Sequence, residues 1–180
     1  NYEHLLRTTA LPHMQELSHE IGLTSHLGIM ESSDVIIVAK AEPQAKLQMT
    51  SRVGLTVPAH CTAQGKTLLA FSAPELVESI INTRGLTRFT PNTICTMNHL
   101  TDELARIRER GYAVDQSEHE KHLVCVGVTI LDGEGGLVAA LSITGTVVDF
   151  PDEPSLARAL PRLEAARDDI RAEMGYLSGP

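Results

Sequence analysis

The chain has 180 residues, 42% of them hydrophobic, and a formal net charge of -8. That size and apolar share give one domain with its own core, and no apolar run is long enough to cross a membrane. The acidic balance, 15 scattered Lys and Arg, and 3% aromatic residues without Trp exclude a basic stripe or a base-stacking platform for nucleic acid.

Three cysteines without paired spacing point to a reducing compartment, and the expected location is the cytoplasm. No signal-peptide pattern opens the chain. It starts at Asn1 rather than Met, which reads as a fragment of something longer.

Residues 1–10 carry no clear pattern. Pro12, Met14, Leu17 and Ile21, followed by Gly22, predict a helix with Pro in its first turn and Gly at its stop. Three strands are expected next, Thr24–Met30, Asp34–Ala41 and 46–52, with a turn at Ser32-Ser33-Asp34. A strand-like stretch then stops at Pro58, and a helix starts around Thr62. Ser72-Ala73-Pro74-Glu75 reads as a capping box for a helix through Leu76, Val77, Ile80 and Ile81, ending near Gly85. Another helix is expected from Thr101-Asp102-Glu103 to Gly111, with Arg106, Arg108 and Arg110 as cations near its C-terminus. Tyr112–Asp115 is a short strand and Glu118–His122 a polar loop. Leu123–Leu131 and Leu137–Thr144 form a hairpin around Asp132–Gly136, and Pro161 is placed at the start of the last helix, which runs to Tyr176. This order predicts an α+β fold with a mostly antiparallel sheet flanked by helices.

Two segments carry chemistry. In Val57–Ala70 the amides of Ala63 and Gln64 fall in the first turn of a helix, where they have no intrahelical partners and meet the positive end of the dipole; an anion or carbonyl can bind there. In the hairpin, Val124, Val126, Val128 and Ile130 share a face that pairs with Ala139, Leu141 and Ile143. The opposite face gathers Cys125, Ser142 and Thr144, a small and partly polar surface of the kind that floors a pocket or packs tightly under a helix.

Other motifs resolve against catalysis. Gly65-Lys66-Thr67 lacks the first Gly of a phosphate loop, since position 60 is His60. His60-Cys61 are adjacent and lack an orienting third group, so His60 is expected to tie the loop together. Cys125 lies among apolar neighbours that keep it a thiol. Lys66 is expected to cap or pair at the domain surface. Glu118-His119-Glu120-Lys121-His122 has metal-ligand types at short spacing but reads as a solvated run.

Taken together, the sequence resembles the effector-binding domain of IclR-type transcriptional regulators. The likeness rests on Pro12–Gly22 followed by Thr24–Gly28, then Gly54–Ala70 with its Pro-x-His-x-x-x-x-Gly-Lys pattern, and Arg110–Asp115 with Gly-Tyr-Ala-x-Asp. Val124–Val128, Ala139–Gly145 and the closing Ala165-Ala166 and Met174-Gly175-Tyr176 complete it. The resemblance implies a GAF/PAS-like sheet with a pocket on one face. It divides the chain into residues 1–10, the end of a linker to an N-terminal winged helix-turn-helix, and residues 11–180, the effector domain. Position by position, it implies an effector site at the amides of Ala63 and Gln64, then Asp115, Cys125, Ser142 and Thr144. Gln64 is larger than the Gly or Ala of some relatives, and Thr144 replaces a Ser.

The implied partners are a small carboxylate or aromatic acid, a second copy in a homodimer or homotetramer, and DNA only through the winged helix-turn-helix. No cofactor, catalytic residue, metal or membrane is implied. Asp115 beside an anion is expected to be protonated or to accept from an effector hydroxyl or a water. Two other readings stay open at this point: a small enzyme on a GAF-like fold using Cys61 or Cys125, and a purely oligomerising module.

Overall fold

The structure is a computed structural model, which describes residues 1–43 and 53–177. In chain order the elements are α1 (Tyr2–Ile21), β1 (Thr24–Glu31), β2 (Asp34–Ala41), β3 (Thr56–Val57), α2 (Ala63–Ala70), α3 (Pro74–Arg84), α4 (Met97–Arg110), β4 (Ala113–Gln116), β5 (Leu123–Leu131), β6 (Leu137–Thr146) and α5 (Glu153–Glu173). The six strands form one sheet in the order β3-β2-β1-β6-β5-β4, and every neighbouring pair is antiparallel. The strand expected at 46–52 lies outside the described residues.

α1 and α5 cover one sheet face. Leu6, Ala10, Met14 and Leu17 recur at helical spacing along α1 and meet Val126, Val128, Leu141, Ile143, Leu163 and Ile170 in one core. α2, α3 and α4 cover the other face, where Leu68, Leu69, Ile80, Leu100 and Ile107 form a second core. The hairpin register matches the alternation of its residues: Val126 pairs with Ile143 and Val128 with Leu141 on the α1/α5 side. Cys125 pairs with Thr144, and Gly127 with Ser142, on the opposite side.

Four helix starts differ from the sequence reading. α1 begins at Tyr2, not Pro12; Asn1 caps it, and residues 2–10, expected as the end of a linker, place Leu6 and Ala10 in the core. α5 begins at Glu153, not Pro161, with Asp152 and Ser155 forming a reciprocal capping box. Pro12 and Pro161 therefore both sit inside helices. A proline there removes one backbone hydrogen bond at a cost of about 3 kcal/mol, which the apolar stripes running through both sites offset. α4 begins at Met97, capped by the Thr96 hydroxyl. The expected capping box at Ser72 is absent. Ala73 occupies the N-cap without a side-chain bond, and Ser72 Oγ donates back to the Leu68 carbonyl at 2.8 Å.

Candidate functional site

α2 provides one wall of the site. Its N-cap Thr62 is extended (φ -123°, ψ 152°). The Thr62 hydroxyl accepts from Gly65 N–H at 3.0 Å and donates to the Pro58 carbonyl at 2.6 Å. Lys66 N–H donates to the Thr62 carbonyl at 2.9 Å. The amides of Ala63 and Gln64 come before these and have no acceptor in the helix. Two glycines let this turn sit close to its neighbours. A Cβ on Gly65 would lie 2.3 Å from the Ala59 backbone, and one on Gly127 would lie 3.0 Å from the Ala63 carbonyl. The helix start is thereby set directly onto the Ala59 backbone and β5.

Ala63, Gln64, Asp115, Cys125, Ser142 and Thr144 all line one cavity of about 460 Å³. β4, β5 and β6 supply its floor: Asp115 pairs with Cys125, and Cys125 with Thr144. The Gln64 side chain lies across that floor, 5% exposed. Its Nε2 donates to the His26 carbonyl and to Ser142 Oγ, both at 2.9 Å. Ser142 Oγ is thus an acceptor toward Gln64 and keeps its own proton to give. Gln64 Oε1 is buried with no hydrogen-bond partner among the described residues and points at the bare Cα of Gly28, where a Cβ would meet it at 2.2 Å. Cys125 Sγ donates to Thr144 Oγ1 at 3.5 Å, and Thr144 Oγ1 lies 3.3 Å from His26 Nδ1.

Burial governs the charge states. Burial pushes the Asp115 carboxyl up to about 7, although the Glu118 N–H that it accepts at 2.7 Å pulls the other way. Burial pushes His26 down to about 4, with Lys40 adding to the effect. The Cys61 and Cys125 thiols are pushed up, chiefly by burial and then by the Asp115 charge, and stay thiols. Neither is an activated nucleophile.

Two expectations for side chains near the cavity resolve differently. Lys66 is not at the surface; it is 2% exposed. Its Nζ donates to the Val114 carbonyl at 2.6 Å and to Glu118 Oε2 at 2.9 Å. Glu118–His122 is solvated at its far end, where Glu120, Lys121 and His122 are exposed, but not at its start. Glu118 is buried in that ion pair, and His119, Glu120 and Lys121 form part of the cavity wall. The His119 ring stands edge-on to Phe89 at 4.9 Å. No group of three or more potential metal ligands gathers among the described residues. His60 Nε2 bonds the Thr87 carbonyl at 2.9 Å, a tie between loops.

A second cavity, about 540 Å³, lies outside β4 between α4 and α5. None of the six residues reaches it, and two ion pairs lie in its wall: Arg110 with Glu103, and Lys66 with Glu118.

The family model described as "Bacterial transcriptional regulator IclR C-terminal" matches residues 2–172. The chain belongs to the IclR family. It is 33% identical to the HTH-type transcriptional regulator XynR of Escherichia coli K12, covering 95% of this chain and 68% of that one. It is 34% identical to KdgR of the same organism, covering 93% of this chain and 63% of KdgR, so it spans under two thirds of that regulator. Among solved structures, the Thermotoga maritima IclR superposes with a TM-score of 0.87 at 34% identity, over 95% of this chain and 69% of that one. The inducer-binding domain of PobR from Acinetobacter, a double mutant in complex with 3-hydroxybenzoic acid, superposes at 0.85 with 25% identity, over 92% of this chain and 97% of that one. The α+β, GAF/PAS-like architecture is that of IclR effector-binding domains.

Within this IclR domain, two parts of the cavity escaped the sequence reading. His26 lies on β1 opposite Ser142, and only the β1–β6 pairing reveals that it borders the floor. The backbone just ahead of the wall at 119–121 is anchored by contacts remote in sequence. Thr90 Oγ1 donates to the Ser117 carbonyl at 2.6 Å, and Thr93 Oγ1 to the Glu118 carbonyl at 2.5 Å.

Proposed function

We propose that this segment is the effector-binding and oligomerising part of a cytoplasmic transcription regulator, and that its effector is a small carboxylate, aliphatic or aromatic, bound in the 460 Å³ cavity. One observation carries the reading. Two helix-start amides without an intrahelical acceptor and a patch of hydroxyls, remote in sequence, line one cavity. The amides of Ala63 and Gln64 supply N–H donors at the positive end of α2. Ser142, already accepting from Gln64, gives its proton to the acid. Thr144 adds a second hydroxyl. Each charge-assisted bond is worth about 1.5–3 kcal/mol, so three or four, less an association cost of at least about 4 kcal/mol, put the affinity no tighter than about micromolar. An effector hydroxyl beside Asp115 adds one more contact. The buried thiols of Cys61 and Cys125 favour a sensor over a cysteine enzyme.

In the complete regulator, a winged helix-turn-helix contacts the DNA, which agrees with the net charge of -8 on this segment. The effector binds two dimer or tetramer arrangements with different affinity and so shifts the spacing of the DNA-reading units. A thermal-shift screen tests the carboxylate reading. Glycolate, lactate, pyruvate, benzoate and 3-hydroxybenzoate would be compared with their uncharged amides. An acid present at 100 times its Kd stabilises by about 2.7 kcal/mol, a rise of several degrees in Tm, and its amide gives much less. If no acid outperforms its amide, the carboxylate reading fails.

A further inference from the structure

We propose that the acid effector binds this domain together with one proton, taken up by the carboxyl of Asp115. The proposal rests on the carboxylate reading above and adds the control of that site by pH.

Asp115 belongs to the same floor as the donors for the acid, since β4 places it beside Cys125 and β5 places Cys125 beside Thr144. It is 4% exposed. Among the described residues it receives one hydrogen bond, from Glu118 N–H to Oδ1 at 2.7 Å. No cation among the described residues is bonded to it. Lys66, from α2, spends its ammonium on the Val114 carbonyl and on Glu118.

The titratable groups acting on Asp115 pull in both directions, with the nearby carboxylates opposing its charge. Glu118 and Glu120, from the loop, oppose its ionisation, and Lys66 favours it. Cys125 from β5 and Cys61 ahead of α2 feel the Asp115 charge and remain neutral thiols. His26 from β1 and His119 from the loop border the same cavity, and burial pushes both down, so neither brings a positive charge at neutral pH.

An arriving carboxylate therefore meets a buried carboxyl with no cation bonded to it among the described residues; Lys121, the lysine on this cavity's wall, is exposed to solvent. Two carboxylates in one site do not both stay ionised. The arrangement that satisfies both is a protonated Asp115 whose O–H donates to the effector oxygen, a strong charge-assisted bond of about 2.5–2.7 Å. The proton comes from solvent, and no covalent bond forms or breaks. Burial already pushes Asp115 up to about 7 in the empty domain, so the proton is partly in place at neutral pH, and the effector completes its uptake.

Isothermal titration of the 180-residue chain with glycolate, lactate and 3-hydroxybenzoate tests this, using phosphate and Tris buffers whose ionisation heats differ. Expected uptake is close to zero protons per bound acid at pH 5.5, about half at pH 7 and about one at pH 8. The Kd stays level below about pH 6.5 and weakens about tenfold per unit above about pH 7. Asp115→Asn keeps an acceptor for Glu118 N–H and is expected to bind with a Kd independent of pH. The ¹³C signal of the Asp115 carboxyl gives a readout without mutation: in the complex at pH 7.5 it is that of a protonated acid. Binding at pH 8 without proton uptake overturns the proposal and leaves the carboxylate reading standing. An Asp115→Asn variant with the parent's pH slope does the same. If none of the three acids binds at pH 6, where the proton is already present, the carboxylate reading falls and the proposal falls with it.

Discussion

At the residue scale, two side chains explain most of the character of the cavity. Asp115 holds its proton to about pH 7 in the folded domain, whereas an unfolded aspartate ionises near 3.9. Between those values the folded state binds more protons, so stability falls as pH rises through the window. Asp115→Asn cannot ionise. In urea unfolding without effector, the variant should gain on the parent from pH 4 to pH 8 by up to ~4 kcal/mol. A difference independent of pH would contradict this. Gln64 fills the floor between β1 and β6, bonded to His26 and Ser142. Gln64→Ala should cost about 1–3 kcal/mol, because it strips a partner from two buried groups. It should also deepen the cavity, and in a binding assay improve larger acids relative to glycolate; an unchanged order of preference would remove Gln64 as the residue that sets size. The size of Gln64 was legible in the sequence. Its anchoring was not, because His26 and Ser142 lie 38 and 78 positions away.

At the element scale, the Lys66–Glu118 pair fastens α2 to the carbonyl edge of β4 and to the loop that walls the cavity. Glu118 Oε2 also accepts from Gln116 N–H at 2.9 Å. Lys66→Met leaves a buried carboxylate unpaired and should cost about 3–5 kcal/mol. Adding Glu118→Gln removes that charge and should restore a large part of the loss. Equal stability of the single and double variants, measured by denaturant unfolding, would show that the pair has no electrostatic role. The two hairpin faces were readable because a period of two residues leaves one register that buries every branched side chain. Glu118 and Lys66 were misread for a shared reason, while Glu120, Lys121 and His122 are exposed as expected. Local composition signals solvent, whereas Thr90 and Thr93, 27 and 25 positions from their partners, draw the start of the loop inward. The early halves of α1 and α5 were missed because proline punctuates a sequence more strongly than it breaks a helix with a buried stripe on both sides of it.

At the scale of the whole molecule, one sheet separates two jobs. The α1/α5 face is a packed apolar layer. The opposite face carries both a core and the polar cavity, so an acid bound there reaches α2, three strands and the wall loop together. A ligand in contact with so many elements can favour one arrangement of the domain over another, provided that its contacts differ between them. The central claim is that an acid binds across the start of α2. The most direct measurement is a titration of the ¹⁵N-labelled domain with glycolate, lactate and 3-hydroxybenzoate, following the backbone amides of Ala63 and Gln64. The account predicts that both resonances move downfield along a single saturating one-site curve. Unmoved resonances at these two positions, with the shifts confined to the cavity outside β4, would contradict it.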